Sequence, residues 1–136
     1  MAIALAQSVS AGAPGADSTT TGSLTTTASG STFLIAAHWQ GGSTPPTISD
    51  SKSNTYTLIG SVRQVDNNGS FLSHIGLWYI ENGTGGSSHT FTGAKSGGYT
   101  SVYAAEVTGG LASGILDQNT GAALDASSPV TSGTIT

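Results

Sequence analysis

The chain has no cysteine and very little charge, with three basic and seven acidic residues among 136. The lack of cysteine excludes a disulfide framework, thiolate catalysis and every cysteine-based zinc site. The three cations, Lys52, Arg63 and Lys95, are too scattered to neutralise a run of phosphates, so we expect neither nucleic acid nor an anionic membrane surface as a partner. Solubility must instead depend on hydroxyl and amide groups, because the charged fraction is only 7%.

The sequence also lacks long apolar runs and clear helix signals. No segment approaches the length of a transmembrane helix. Short alternating or β-branched runs instead recur between clusters of Gly, Pro, Asn and Ser, a pattern typical of antiparallel strands joined by turns. Residues 1–136 are therefore predicted to form one all-β domain, an antiparallel two-sheet sandwich of jelly-roll-like type with about eight or nine strands. The predicted strands are 2–9, 18–27, 31–39, 46–50, 55–65, 70–80, 87–94, 99–107 and, more weakly, 130–136.

Three local patterns refine this prediction. Residues 31–39 are apolar on both alternating faces, which predicts a central strand covered on each side. Residues 19–27 are rich in threonine and have almost no apolar face, which favours an exposed or edge strand that pairs rather than packs. The dipeptide Asn68-Gly69 accepts positive φ at low cost and predicts a tight hairpin between 55–65 and 70–80.

No catalytic or metal-binding pattern stands out. The three histidines, His38, His74 and His89, have no metal-ligand spacing, so no metal site is predicted. There is no Gly-x-Ser-x-Gly motif, and a hydrolase would need a histidine beside a carboxylate in a cleft. Glu106 is predicted to be partly buried, but one acid does not make a site. We therefore predict no catalytic residue, no cofactor and no metal.

The aromatic residues allow two interpretations. Trp39 ends a predicted strand just before a loop, so Trp39, Gln40 and Tyr56 are candidate glycan contacts. Alternatively, Trp39 and Trp78 fill opposite ends of the core. The second interpretation is favoured, because large aromatic side chains dominate small β cores.

The two ends of the sequence give further expectations. Residues 1–9 lack the basic region of an export signal, and Gln7 interrupts their apolar stretch, so they are predicted to form a first strand. A disulfide-free, hydroxyl-rich sandwich without such a signal is typical of proteins assembled inside a host and released by lysis, as virus particles are. At the other end, the pattern stops within an apparent strand, which fits either a closing strand or a chain that continues beyond Thr136.

Several segments together resemble a β-sandwich domain of tailed-phage virion proteins and bacterial surface proteins. The resemblance covers Ile3 to about Gly110 and is carried by Ile3–Ser8, the threonine-rich second strand, Ser31–Trp39, Ile48–Thr57 and Leu77–Asn82. It implies a non-enzymatic structural module, such as a head decoration or cement protein or part of a fibre. It implies no catalytic residues.

The resulting hypothesis is a capsid decoration or cement protein that binds and stabilises a phage head shell. Its expected partners are the major capsid protein or another virion protein, together with further copies of itself, and its expected location is the virion after synthesis in the host cytoplasm. The alternative is a carbohydrate-binding module or fibre adhesin that recognises surface glycans. Strand edges are the expected assembly contacts. The candidate edge residues are Ile3, Leu5, Thr20, Thr21, Leu24 and Thr26.

Overall fold

The computed structural model describes residues 3–13, 15–67, 72–110 and 114, and this part of the chain is built from β-strands. It contains no helix that is long and apolar enough to cross a membrane. The prediction of an all-β chain is confirmed. The strands are β1 (Ala4–Ala13), β2 (Ser18–Thr20), β3 (Ser31–Gln40), β4 (Thr47–Asp50), β5 (Thr57–Leu58), β6 (Arg63–Asn67), β7 (Leu72–Gly83), β8 (Phe91–Ala94) and β9 (Thr100–Thr108).

The strands form two antiparallel sheets that pack face to face. The larger sheet has the order β1-β9-β3-β7-β5, with β6 also paired to β7, and the smaller sheet has the order β2-β8-β4. The first four described strands alternate between the sheets, and β1 lies beside β9, the last strand that the structure describes, as in a jelly roll. The predicted jelly-roll-like sandwich is therefore confirmed. The sheets are unequal because β5 and β6 pair with β7 of the larger sheet.

The core lies between the sheets and is built mainly on β3. Phe33, Ile35 and Trp39 alternate along this strand, point inward and are at most 1% exposed. They pack with Trp78 of β7 and Phe91 of β8. Each such side chain contributes about 1.5–3 kcal/mol when fully buried. The ring centroids of Trp39 and Trp78 are 6.3 Å apart, so the prediction that they fill opposite ends of the core is wrong.

The predictions for the central strand and for the threonine-rich strand have different outcomes. The prediction that 31–39 is a central strand is confirmed, because β3 lies between β7 and β9, but the expected coverage of both its faces is wrong, since Leu34 is 38% exposed. The threonine-rich segment does supply an edge strand, but β2 ends at Thr20, and only an isolated bridge from Leu24 to His89 follows. Its threonines also pack: Thr19 is 3% exposed, and its hydroxyl donates to the Thr100 carbonyl over 2.6 Å. The prediction that this segment pairs rather than packs is therefore wrong.

The predicted strand 55–65 is broken in two. β5 and β6 are separated by a segment that includes Gly60 with φ of 64°, a left-handed conformation that glycine accepts without strain. The turn predicted at Asn68-Gly69 lies outside the described residues, although β6 and β7 on either side of it pair antiparallel. The weak strand predicted at 130–136 also lies outside them.

Candidate functional site

The outer face of the larger sheet carries many exposed apolar side chains. The strand register places Leu77, Ala36 and Tyr103 in one row across β7, β3 and β9, with Leu34 and Tyr79 in the next row. Leu77 is 49% exposed, Tyr103 43% and Leu34 38%. We call this surface the apolar face and define it by Ile3, Leu5, Leu34, Ala36, Leu77, Tyr79, Tyr103 and Val107.

The outer face of the smaller sheet has the opposite character. Its exposed positions carry hydroxyls, including Thr20, Thr47 and Ser49. The register pairs Thr92 with both Thr20 and Ser49, so these side chains share one face. The two sides of the sandwich therefore differ in chemistry. An exposed apolar patch of this kind is typical of an interaction surface.

One end of the apolar face forms a small cleft of about 200 Å³. Ile3, Leu34, Ile59 and Val107 line it, together with the side chains of Thr32 and Tyr79, which each carry one hydroxyl. Such a lining favours an inserted apolar side chain over a charged ligand, because the cleft offers a charge little to replace its water.

A buried chain of hydrogen bonds joins Asp50, His89 and Thr26. The distance from His89 Nε2 to Asp50 Oδ2 is 2.9 Å, and the distance from His89 Nδ1 to Thr26 Oγ1 is also 2.9 Å. An ionised carboxylate can only accept, so Nε2 carries the hydrogen, and in the neutral imidazole Nδ1 then accepts from the threonine hydroxyl. The order of acid, imidazole and hydroxyl is that of a hydrolase triad.

The burial of these three hydrogen-bonded residues argues against nucleophilic attack by Thr26. His89 is fully buried and Thr26 is 4% exposed. The imidazole packs edge-on to Phe33 at 4.9 Å and is stacked on Phe91 at 4.3 Å between ring centroids. The Gly86 amide also donates to the Thr26 hydroxyl over 3.0 Å. These groups therefore hold a loop and two strands together, and a substrate could not reach the hydroxyl without local opening.

Asp50 is the centre of this network. Burial raises its pKa, but hydrogen bonds from Tyr56, Asn54 and His89 outweigh burial and leave the pKa below its ordinary value. Tyr56 donates to Asp50 Oδ2 over 2.6 Å. Burial, this hydrogen bond and the carboxylate charge together raise the pKa of Tyr56. At neutral pH the aspartate is therefore ionised and the phenol is protonated.

Glu106 forms a second buried carboxylate site and is 1% exposed. It accepts from Gln7 Nε2 over 2.6 Å, from Ser31 Oγ over 2.7 Å and from the Thr27 amide over 2.8 Å. A register shift in β1 between Leu5 and Gln7 accompanies the first of these contacts. Burial raises the pKa of Glu106, but these hydrogen bonds lower it by more than burial raises it, so the pKa lies below its ordinary value. The carboxylate is more buried than the sequence suggested and fully engaged.

Three of the predicted assembly residues are exposed at strand edges. Ile3 is 74% and Leu5 62% exposed, next to and within β1 at the edge of the larger sheet. Thr20 is exposed on β2 at the edge of the smaller sheet. β1 and β2 contact each other, so both edges lie on the same side of the sandwich.

The other three predicted assembly residues are not available as an edge. Thr21 is 5% and Thr26 4% exposed, because their hydroxyls bond within the interior. Leu24 is half-buried against the hydrophobic core. The structure therefore separates the six residues into an exposed group and an internal group.

The predicted glycan contacts are also divided. Trp39 is fully buried, so the alternative of an exposed stacking ring is wrong and the favoured placement of this side chain in the core is confirmed. Tyr56 is half-buried and its hydroxyl is bound to Asp50. Gln40 is half-buried and lines surface depressions at the end of β3.

The three histidines lie apart in the fold. His38 is half-buried on the outer face of the larger sheet, whereas His74 is 3% exposed and stacks on Trp39 at 5.6 Å. His89 belongs to the Asp50 network. Within the described ranges, no three His, Asp or Glu side chains are grouped so that they could hold a metal ion.

Sequence reasoning missed the apolar face itself. Leu34 and Leu77 belong to segments whose two faces both carry bulk, and this pattern was interpreted as coverage on both sides. The structure covers only the inner side of these strands with the second sheet. Comparison of the chain with protein-family models, with curated proteins and with solved structures finds no match.

Proposed function

We propose that this chain is a non-enzymatic structural module that adheres to a protein shell through its apolar face, as a capsid decoration or cement protein on a phage head. The observation that supports this proposal is the contrast between the apolar face and the hydroxyl-bearing opposite side. Covering apolar area releases free energy, whereas the hydroxyl side remains well solvated. The proposed partner is the major capsid protein or another virion protein with a complementary apolar surface.

The energetics suit binding to a repeated surface. Burial of a fully exposed leucine contributes about 1.5–3 kcal/mol, so half-exposed Leu77 and Leu34 each contribute about half of that range or less. Part of this gain is offset by the lost freedom of the bound molecule. A shell offers the same contact many times, and self-association of the module would link these contacts, so modest single affinities still give firm attachment.

The buried networks support a structural role. The Asp50 and Glu106 sites connect segments distant in the chain, with sequence separations of 39 for His89 to Asp50 and 99 for Gln7 to Glu106. They fix the loop that contains Thr26 and Thr27 against both sheets. Buried hydrogen bonds thereby connect distant segments of a sandwich that has no disulfide, and they help to maintain the geometry of its outer face.

A first test is the protein inventory of particles purified from the native source. Quantitative mass spectrometry should find the chain in a fixed ratio to the major shell subunit. Chemical cross-linking should connect it to that subunit near β3, β7 or β9. Purified particles that lack the chain would contradict the proposal.

A second test uses a matched pair of charge substitutions. Leu77→Asp places a charge on the apolar face, whereas Ser49→Asp places the same charge at an exposed position of the opposite side. Labelled variants are added to particles depleted of the protein, and the retained amount is measured after sedimentation. Leu77→Asp should lower the affinity about tenfold or more, equivalent to about 1.4 kcal/mol, and Ser49→Asp should bind as the wild type does. Equal retention of both variants would exclude the apolar face as the contact.

A further inference from the structure

A second surface feature lies at the end of the sandwich, beyond the apolar face. One open depression of about 490 Å³ is bordered by the loops that follow β1 and β3 and the loop that precedes β9. Another, of about 480 Å³, lies beside it on the outer face of the larger sheet. Gln40 and Tyr99 line both depressions, so the two adjoin, and we call them together the polar groove after the side chains of Asp17, His38, Gln40 and Ser101 that border them. Each volume is within the usual range of small-molecule sites.

The polar groove offers hydrogen-bonding groups that have no internal partner. His38, Gln40 and Ser101 line its second depression, and their side chains make no hydrogen bond within the part of the chain that the structure describes. Asp17 lines the first depression, where its Oδ1 accepts from the Gly97 amide over 2.8 Å. Imidazole, amide and hydroxyl groups can all both donate and accept, which suits a ligand that carries hydroxyls.

Tyr99 supplies an apolar surface at the junction of the two depressions. It is 45% exposed, and it borders the first depression together with Leu72 and several glycines. Glycines keep this region open: a Cβ on Gly98 would lie 2.5 Å from the Gln40 carbonyl oxygen, and a Cβ on Gly41 would lie 3.2 Å from that of Gly97. The two loops therefore approach each other through backbone alone, and no bulky side chain from these positions fills the space beside the tyrosine.

The lining selects a class of ligand. Neither lysine nor arginine borders the described groove, and Asp17 is its only carboxylate, so a phosphate or an acidic sugar would find no countercharge. A neutral sugar ring has C–H faces that pack on an aromatic ring and hydroxyls that bond to planar polar side chains. We infer that the polar groove binds a neutral saccharide, with Tyr99 as the stacking ring and with Gln40, His38 and Ser101 as hydrogen-bond partners. This activity is independent of adhesion through the apolar face.

The test begins with an array of neutral oligosaccharides, followed by calorimetric titration with the strongest binders. Maltotriose, cellotriose and chitotriose are included as soluble probes. An open groove of this kind should bind with a Kd of roughly 0.1–1 mM. Tyr99→Ala should weaken binding about tenfold or more, and Gln40→Ala should weaken it several-fold.

The matched control is Tyr79→Ala, because Tyr79 lies on the same outer face but lines the cleft with Ile3 and Val107 and neither of the two depressions. Its saccharide affinity should stay within about twofold of the wild type. Thermal unfolding of each variant checks that the fold is retained, and Gln40→Ala decides the matter if Tyr99→Ala is unstable. Absence of binding to every neutral glycan, wild-type affinity in a folded Tyr99→Ala or Gln40→Ala, or equal losses in the two tyrosine variants would overturn the assignment.

Two cross-measurements separate this inference from the proposed adhesion. Tyr99→Ala should remain bound to shell particles while losing its saccharide affinity. Leu77→Asp should lose the particles while keeping the saccharide. Saccharide binding without particle binding would therefore refute only the adhesion proposal, and the reverse result would refute only the groove.

Discussion

At the scale of single residues, two buried carboxylates connect the fold. Asp50 and Glu106 each accept several hydrogen bonds while withdrawn from solvent, and each has its pKa lowered by those donors despite the opposing effect of burial. The sequence could not reveal either site, because His89 and Gln7, which supply key contacts, are far away along the chain. It did single out Glu106, through its alternation with small apolar residues in β9.

Replacement of the central carboxylate should be costly. Asp50→Asn keeps the shape of the side chain, but it removes the charge that faces the ring of His89 and the hydroxyl of Tyr56. We expect the free energy of unfolding to fall by about 2–4 kcal/mol, because donors that bind a buried charge lose their best acceptor. Urea denaturation at pH 7 measures this change. Asp17→Asn is the control, with an expected loss below about 1 kcal/mol because Asp17 is exposed; equal losses would contradict the role given to Asp50.

The same carboxylates should make stability depend on acid pH. The folded pKa of Asp50 lies below its ordinary 3.8 and that of Glu106 below its ordinary 4.5. The unfolded state therefore binds protons more readily, so the stabilisation is complete above about pH 4.5 to 5 and is lost as the pH falls through the folded pKa values. Denaturation midpoints measured from about pH 7 to 2 should fall only in the acid range. Glu106→Gln should be less stable at neutral pH and should decline less in acid; a decline as steep as that of the wild type would show that Glu106 does not contribute.

At the scale of elements, the sequence predicts strands well where alternation and bulk coincide. β3, β7 and β9 match the predictions for 31–39, 70–80 and 99–107 to within a few residues, because hydrophobic burial determines them. The prediction of strand length fails for a segment that has high β propensity but no apolar face. Residues 18–27 have strong β propensity but leave the strand at Thr20, since their hydroxyls satisfy interior groups instead.

The candidate site shows a similar division. Gln40 was correctly placed at a surface, whereas Trp39 beside it faces the core, because adjacent residues of a strand point to opposite faces. A one-residue uncertainty in strand phase therefore reverses a functional assignment. Tyr99 could have been found from the Gly97-Gly98 pair that precedes it, since such a pair often marks a loop where side chains leave space.

Packing between the sheets gives a prediction for β8. A Cβ on Gly93 would lie 2.7 Å from Val102 Cγ2 and 3.2 Å from Thr100 Cγ2, so Gly93→Ala must push β8 away from β9. We expect a loss of about 1–3 kcal/mol in the free energy of unfolding. Gly22→Ala is the control, because its Cβ would have no neighbour nearer than Val9 Cγ2 at 3.9 Å. Chemical denaturation of both variants is the measurement, and a Gly93→Ala as stable as the control would show that the sheets are not closely packed there.

At the scale of the whole molecule, the unequal sheets determine the surface. The larger sheet has six strands and the smaller three, and the outer side of the larger sheet keeps Leu34, Leu77 and Tyr103 exposed. Composition predicted the class of fold, because it depends on averages over many residues. It could not predict which sheet carries apolar side chains on its outer face, because that depends on which strands pair and in which register.

The scarcity of charge predicts weak salt dependence. With a formal net charge of −4 spread over few groups, there are few exposed Coulomb interactions to screen. The free energy of unfolding at pH 7 should change by less than about 0.5 kcal/mol between about 50 and 500 mM sodium chloride. Sodium sulfate serves as the positive control, because its exclusion from protein surfaces should raise stability. A larger response to chloride would indicate that surface charge pairs stabilise the fold.

The difference between the two sides also makes the domain a small, rigid amphiphile. At an air–water or oil–water boundary, its lowest free energy orientation directs the β7-β3-β9 side away from water and leaves the serines and threonines of the smaller sheet hydrated. A monolayer formed in this way would give a bubble or droplet a neutral, hydroxylated coat.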